Sequence, residues 1–178
     1  MTANIFLKEQ KKPELADYMN FSADGRGNLG GDIPVAVYRL MEYSLKEELE
    51  DRFGTEEQKQ IFRSAGYRAG VFFVKNQLDL SQELNAFIAA LQSRLAELKI
   101  GVLRVERFEE NSGKLILTVS EDADCSGLPL LGEAVCNYDE GFISGIMSTY
   151  MKRKYSAVEI DCWATGDRVC RFCVEPEE

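Results

Sequence analysis

CNYDEGFISGIMSTYMKRKYSAVEIDCWATGDRVCRFC, residues 136–173, decides the fold. Its first half predicts a helix over about 138–154, with Phe142, Ile146 and Met147 on the core side and Gly141 and Gly145 one turn apart. Its second half predicts two strands, about 156–164 and 168–175, turned by Thr165-Gly166-Asp167. A hairpin centred on Gly166 sets Cys162 opposite Cys170 and Asp161 opposite Arg171, an opposite-charge pair that supports this register. Directly opposed strand residues have Cβ atoms about 4.5–5.5 Å apart, which lets two thiolates share a tetrahedral metal. Cys136, just before the helix, supplies a third thiolate from the neighbouring element. Soft sulfur ligands favour zinc or an iron–sulfur cluster over calcium or magnesium. A redox-active cysteine pair is the main rival reading.

Upstream, the pattern is helical and then changes period. Residues 1–32 are a weakly patterned extension. In it Tyr18 to Phe21 reads as a short strand and Asp24 to Asn28 as a turn. A first long helix starts near Pro34, a residue suited to a first turn. Its stripe of Val37, Leu40, Met41, Leu45 and Leu49 reads as a core face, and Gly54 ends it. Thr55-Glu56-Glu57-Gln58 reads as a capping box opening a second helix over about 56–78. There Gly66 and Gly70 lie one turn apart and would let another element approach closely. A third helix over about 82–98 carries Leu84, Phe87, Ile88, Leu91, Leu95 and Leu98. After residue 100 two strands, 102–108 and 114–120, are joined at Asn111-Ser112-Gly113, with Leu115, Leu117 and Val119 on one face. Helices first and an antiparallel meander later give an α+β class, N-terminal helices packed on a C-terminal sheet in a single domain.

Composition narrows the function. The chain has 178 residues, a formal charge of −9 and no histidine. Such a charge repels phosphate backbones, so nucleic acid is not an expected partner. Absent histidine removes both the usual general base and the usual nitrogen ligand. No apolar run suggests a membrane span, and the first ten residues lack the pattern of a secretory signal. These features lead us to expect a cytoplasmic protein, where its five cysteines stay reduced. Lys152-Arg153-Lys154, at the end of the predicted fourth helix, is read as complementing the helix dipole.

The three segments Cys136 to Gly145, Val158 to Cys162 and Gly166 to Phe172 resemble the 4-vinyl-reductase domain family. The shared pattern is a cysteine before a glycine-containing helix, then Glu-x2-Cys-x7-Cys on the closing hairpin. Spacings here are 23 from Cys136 to Glu159, three to Cys162 and eight to Cys170. The resemblance implies Glu159 as the fourth ligand of a zinc held by Cys136, Cys162 and Cys170. Strict strand alternation sets Glu159 on the other face, beside Cys173, and a bulge between Glu159 and Cys162 would reverse that. Cys173 in place of Glu159 is one alternative, and a solvated Glu159 is another. Cys125, in the acidic loop, is expected to stand outside the site. Four protein ligands leave no place for water, so the zinc would be structural.

The same resemblance implies a fold shared with transport-particle (TRAPP) subunits and a stand-alone binding or sensor domain for a small hydrophobic or aromatic ligand. Such a domain would work as a homodimer, with residues 1–32 a candidate dimer-forming segment, and with a regulatory protein partner. Phe62, Phe72, Phe73, Phe87 and Phe142 are the candidate pocket residues, and each could equally be plain core. The phenol-sensing members are expected to hold the ligand hydroxyl with a histidine and a tryptophan. This chain has neither in place, since its one tryptophan, Trp163, is in the metal hairpin. A ligand without a matching hydroxyl is therefore expected. No ATPase or DNA-binding segment accompanies it, so a complete activator is not expected. An enzyme or accessory of tetrapyrrole vinyl reduction and a ligand-free dimerising adaptor are the other two readings. Against the former stand the absent histidine and the absent dinucleotide glycine fingerprint.

Overall fold

A computed structural model describes residues 12–19 and 26–177. Residues 1–33 and 34–178 form two units. The first contains one helical turn, α1 (Leu15–Tyr18). Tyr18 thus closes a helix instead of opening the expected strand, whose Asn20 and Phe21 lie outside the described residues. The expected turn is seen from Arg26 onward, where the N–H groups of Leu29 and Gly30 both donate to the Arg26 carbonyl.

The second unit runs α2 (Val35–Phe53), α3 (Thr55–Gln77), α4 (Leu84–Glu97), β1 (Val102–Glu109), β2 (Lys114–Ser120), α5 (Asn137–Met151), β3 (Tyr155–Asp161) and β4 (Cys170–Pro176). It is α+β, as the patterning predicts. The four strands are antiparallel in the order β1-β2-β4-β3. That order corrects the expected meander: the chain leaves β2 through α5 to the sheet edge, and β4 returns between β2 and β3. One sheet face, carrying Leu103, Leu115, Leu117, Tyr155, Ala157, Phe172 and Val174, is buried with α4 and α5. Burying each large apolar side chain contributes about 1.5–3 kcal/mol.

The α2 stripe is a second correction. Leu40 and Met41 are 72% and 65% exposed, with Val37 and Leu45 also exposed, while Glu42 and Lys46 are buried. The polar face turns inward because it has partners there. Tyr38 donates to Asp124 Oδ1 (2.6 Å), and the Arg39 guanidinium donates to the carbonyls of Ala123 (2.7 Å), Asp122 (3.2 Å) and Ser126 (2.7 Å). Lys46 pairs with Glu42 (2.7 Å) and donates to the Val135 carbonyl (2.8 Å). Hydrogen bonds to these buried groups outweigh the exposure of four apolar side chains. At the next junction no capping box forms: Gly54, at φ 83°, is the cap, and the Thr55 hydroxyl donates to Glu50.

The glycine pairs do what their spacing suggests. A Cβ on Gly66 would lie 2.0 Å from the Tyr138 carbonyl oxygen, and one on Gly70 2.1 Å from that of Phe142. From the other helix, a Cβ on Gly141 would meet the Arg63 carbonyl at 2.0 Å, and one on Gly145 that of Tyr67 at 2.3 Å. Backbone faces backbone along the whole α3–α5 crossing, with no side chain able to yield. Gly141→Ala is expected to cost at least the roughly 1–3 kcal/mol of overpacking, measured as a denaturant midpoint. Gly31→Ala, with nothing within 4 Å of its new Cβ, should stay within about 0.5 kcal/mol of the parent. Equal midpoints for the two variants would show that the helices do not meet there.

Candidate metal centre

Four buried sulfurs converge where four separate segments end. Cys136 is the N-cap of α5, Cys162 follows β3, Cys170 opens β4, and Cys125 comes from the loop after β2. Their Sγ atoms all lie within 4.8 Å of one another. Cys136 is 3.9 Å from Cys162 and 3.7 Å from Cys170, and Cys125 is 3.0 Å from Cys170. All are free thiols, so they are not spent on disulfides. Such a group can hold a metal ion.

Local structure fixes each sulfur. Asp161 pairs with Arg171 as the charge pattern predicts, and the ladder shifts register between Glu159 and Asp161. This bulge at Ile160 is the irregularity that brings Glu159 inward: it is 9% exposed, while Val158 and Ile160 face out. Beyond it, Cys162 caps the short 3-10 turn Trp163–Thr165, its carbonyl accepting the N–H groups of Thr165 and Asp167 at 3.1 Å each. The Cys125 loop is an Asx turn in which Asp122 Oδ1 accepts the Asp124 N–H (2.8 Å). Its Ala123 N–H donates to the Ile100 carbonyl at 2.9 Å.

Of the expected ligands, Cys136, Cys162 and Cys170 are brought together. Glu159 stands beside them: Oε2 accepts the Cys136 N–H (3.2 Å), and Oε1 is buried without a hydrogen bond. Burial, and then the charge of Cys162, push its carboxyl up to about 8. Cys173, the alternative fourth ligand, is opposite Val158 on the outer sheet face, half-buried and away from the cluster. Cys125 is the residue that sequence reasoning set aside. Its signal is the β2–β4 pairing, which puts Val119 opposite Cys170 and so delivers the loop after β2 to the start of β4.

Proton sharing among the thiols is uneven. Hydrogen bonds from Cys125, Cys136 and Cys170 hold Cys162 well below the usual thiol range, and contacts led by Cys125 push Cys136 and Cys170 far above it. One thiolate is therefore stabilised by its neighbours' S–H groups, and further deprotonation calls for a cation.

A second group lies against the first. Asp122, Asp139 and Cys136 also come within 4.8 Å of one another. Burial, then repulsion by Asp124, pushes Asp122 up to about 7, and Asp139 rises for the same reason with Asp122 next to it. Both aspartates line a cavity of about 30 Å³ whose remaining wall is apolar, with Leu91 and Leu95 from α4, Leu103 and Leu117 from the sheet, and Phe142 and Ile146 from α5. Of the five candidate pocket phenylalanines, Phe142 lines this cavity. Phe73 packs on Phe142 (centroids 5.3 Å apart), Phe87 stacks on Tyr150 (3.9 Å), Phe62 lies under the Lys46 ammonium (5.1 Å), and Phe72 is half-buried.

The chain is thus an α+β protein with a buried four-sulfur group beside an acid-lined apolar cavity. Residues 115–176, the stretch that carries β2, three of the cysteines and both strands of the hairpin, match the 4-vinyl-reductase domain, the family that the motif resembles. An uncharacterised protein of Methanocaldococcus jannaschii is 28% identical over 172 residues, covering 97% of this chain and 92% of its own. The phenol-responsive sensory domain of the transcription activator PoxR, solved with phenol, superposes with a TM-score of 0.63 at 15% identity, over 81% of this chain and 75% of that one. A trafficking protein particle complex subunit 3 from Naegleria fowleri, covalently bound to palmitic acid, gives 0.64 at 13% identity, over 81% and 95%. These two likenesses establish a shared fold. Among the described residues, no helix is long and apolar enough to cross a membrane.

The geometry predicts a cobalt titration in which the intensity of thiolate-to-metal absorption reports four sulfurs in the parent and three in Cys125→Ser. Glu159→Gln and Cys173→Ser should keep the parent spectrum. A Cys125→Ser spectrum identical to the parent, with loss on Glu159→Gln, would assign the fourth place to the carboxylate.

Proposed function

We propose that this chain is a zinc-containing binding or sensor domain for a small hydrophobic or aromatic molecule, acting through a partner protein. The observation that carries the reading is the apolar cavity enclosed by α4, the sheet and α5, on the same helix whose first turn bears Cys136. The match to the 4-vinyl-reductase domain and the fold shared with a phenol-bound sensory domain and a palmitate-bound subunit support it.

Zinc suits the donor set. With Zn–S bonds of about 2.3 Å, the sulfurs of a tetrahedral site stand about 3.8 Å apart. The Cys136–Cys162 and Cys136–Cys170 separations, 3.9 and 3.7 Å, fit that edge. Cys136, Cys162 and Cys170 hold three corners. Cys125 and Glu159 contend for the fourth, and mutual sulfur distance favours Cys125. Four protein ligands close the coordination sphere, so the ion ties α5, the hairpin and the β2 loop together and does no chemistry.

As it stands, the cavity of about 30 Å³ holds little more than water, whereas a benzene site is about 150 Å³. Ligand entry therefore requires a wall to move. The protein is also proposed to dimerise, with the outward α2 stripe of Val37, Leu40, Met41 and Leu45 meeting the same stripe of a second copy, since an isologous contact buries one patch twice.

Two outcomes test these readings. Native mass spectrometry should find one zinc per chain, and toluene should raise the melting temperature of the parent but not of Ile146→Phe, which fills the cavity. No zinc, or an equal toluene shift in both proteins, would remove the metal or the pocket respectively. Leu40→Glu with Met41→Glu should halve the mass seen by sedimentation, and an unchanged mass would place any dimer elsewhere.

A further inference from the structure

We propose that the ligand of the α4–sheet–α5 cavity is a small primary amine, its ammonium seated on Asp122 and Asp139 and its hydrocarbon body among the leucines and isoleucines of the wall. The proposal rests on the ligand-binding reading above and specifies the head group.

The cavity is apolar at every lining side chain except these two, and both are at one end of it. Asp122 is only 3% exposed. Its Oδ1 is used by the Asp124 N–H, but its Oδ2 is buried with no hydrogen-bond partner, and so is Oδ2 of Asp139. Buried carboxylate oxygens left unpaired are costly, so an occupant that supplies donors is favoured over one that does not.

Nor does the protein provide the counter-charge. Among the described residues, no lysine or arginine forms an ion pair with either aspartate. The two nearby cations are already engaged. Arg39 spends its donors on the carbonyls of Asp122, Ala123 and Ser126, and Lys46 is held by Glu42 and the Val135 carbonyl. What remains is a pair of acceptors at the end of a greasy chamber. An alkylammonium, with three N–H donors on an apolar stem, complements both halves. A neutral hydrocarbon satisfies only the wall. A hydroxyl has one proton to give and no charge.

A bare divalent ion is the competing occupant, because Asp122, Asp139 and Cys136 are close enough to ligate one. The amine is favoured because Cys136 already belongs to the four-sulfur group, and because an ion alone leaves the apolar chamber unexplained.

The test is calorimetric titration of the full metal-loaded chain with benzylamine and with benzyl alcohol, which share a body and differ in head. Benzylamine is expected to bind the parent at least tenfold more tightly. Asp139→Asn and Asp122→Asn should each erase most of that preference while leaving the affinity for benzyl alcohol within about twofold. Equal or tighter binding of the alcohol would overturn the amine and leave the hydrophobic-ligand reading standing. Binding of neither probe would remove both. A second zinc per chain that Asp139→Asn abolishes would assign the acid pair to a metal and overturn the proposal as well. Should an Asn variant fail to fold, the parent ratio of the two probes decides on its own.

Discussion

Everything in the second unit is arranged around two helices that touch through their backbones. Where α3 crosses α5, four glycines stand against four carbonyl oxygens at distances that no Cβ can occupy. Helix axes ordinarily stand 8–10 Å apart because side chains hold them off. Removing those side chains lets the crossing tighten until it is fixed by hard contact, which neither rotation nor sliding relieves. The N-terminus of α5 is set by that contact. Glu140 extends it to the sheet: one carboxylate oxygen accepts the Arg63 Nε from α3 (2.6 Å) and the other accepts the Glu159 N–H from β3 (2.9 Å). Cys136 is therefore positioned before any metal is considered.

The sulfur group depends on that placement and adds something to it. Its members come from a loop, a helix cap, a strand end and a strand start, four places that the chain visits between Cys125 and Cys170. Four buried thiols gain little from one another, since S–H donors are weak. A dication converts the same four into a cross-link between the helix and the strands, with binding energy that counts directly as folding energy. The polar side of α2 supports the arrangement from behind. By donating to Asp124 and to three loop carbonyls it orders the turn that carries Cys125.

Local chemistry was readable from the sequence and non-local pairing was not. The Gly66/Gly70 and Gly141/Gly145 spacings announced a close approach, and Asp161 against Arg171 set the hairpin register. The conflict between strand alternation and a Glu159 facing the cysteines pointed to a bulge, which exists at Ile160. Cys125 escaped because its neighbourhood to Cys170 arises from β2 pairing with β4, two strands separated in sequence by a helix and a third strand. The facing of α2 escaped for a different reason. Its apolar periodicity is real, but burial there is decided by Tyr38, Arg39 and Lys46 finding buried acceptors in a distant loop. Periodicity carries no information about that loop. The phenylalanines likewise could not be sorted into wall and core by spacing, and only Phe142 reaches the cavity described.

The cavity and the sulfur group share a wall. Asp122 and Asp139 border both, and α5 runs from Cys136 at its cap to Phe142 and Ile146 beside the cavity. A ligand that enlarges the cavity must displace something, and the glycine crossing holds α5 too firmly to be the part that yields. The strands are tied to one another and to the sulfurs. That leaves α4, which packs chiefly on β1 and otherwise relies on the Phe87–Tyr150 stack and on Arg94 donating to Gln77. Occupancy would thus be expressed at the outer surface of α4, while the metal side stays fixed. In this fold the rigid half measures the ligand's head, and the movable half reports that its body has arrived.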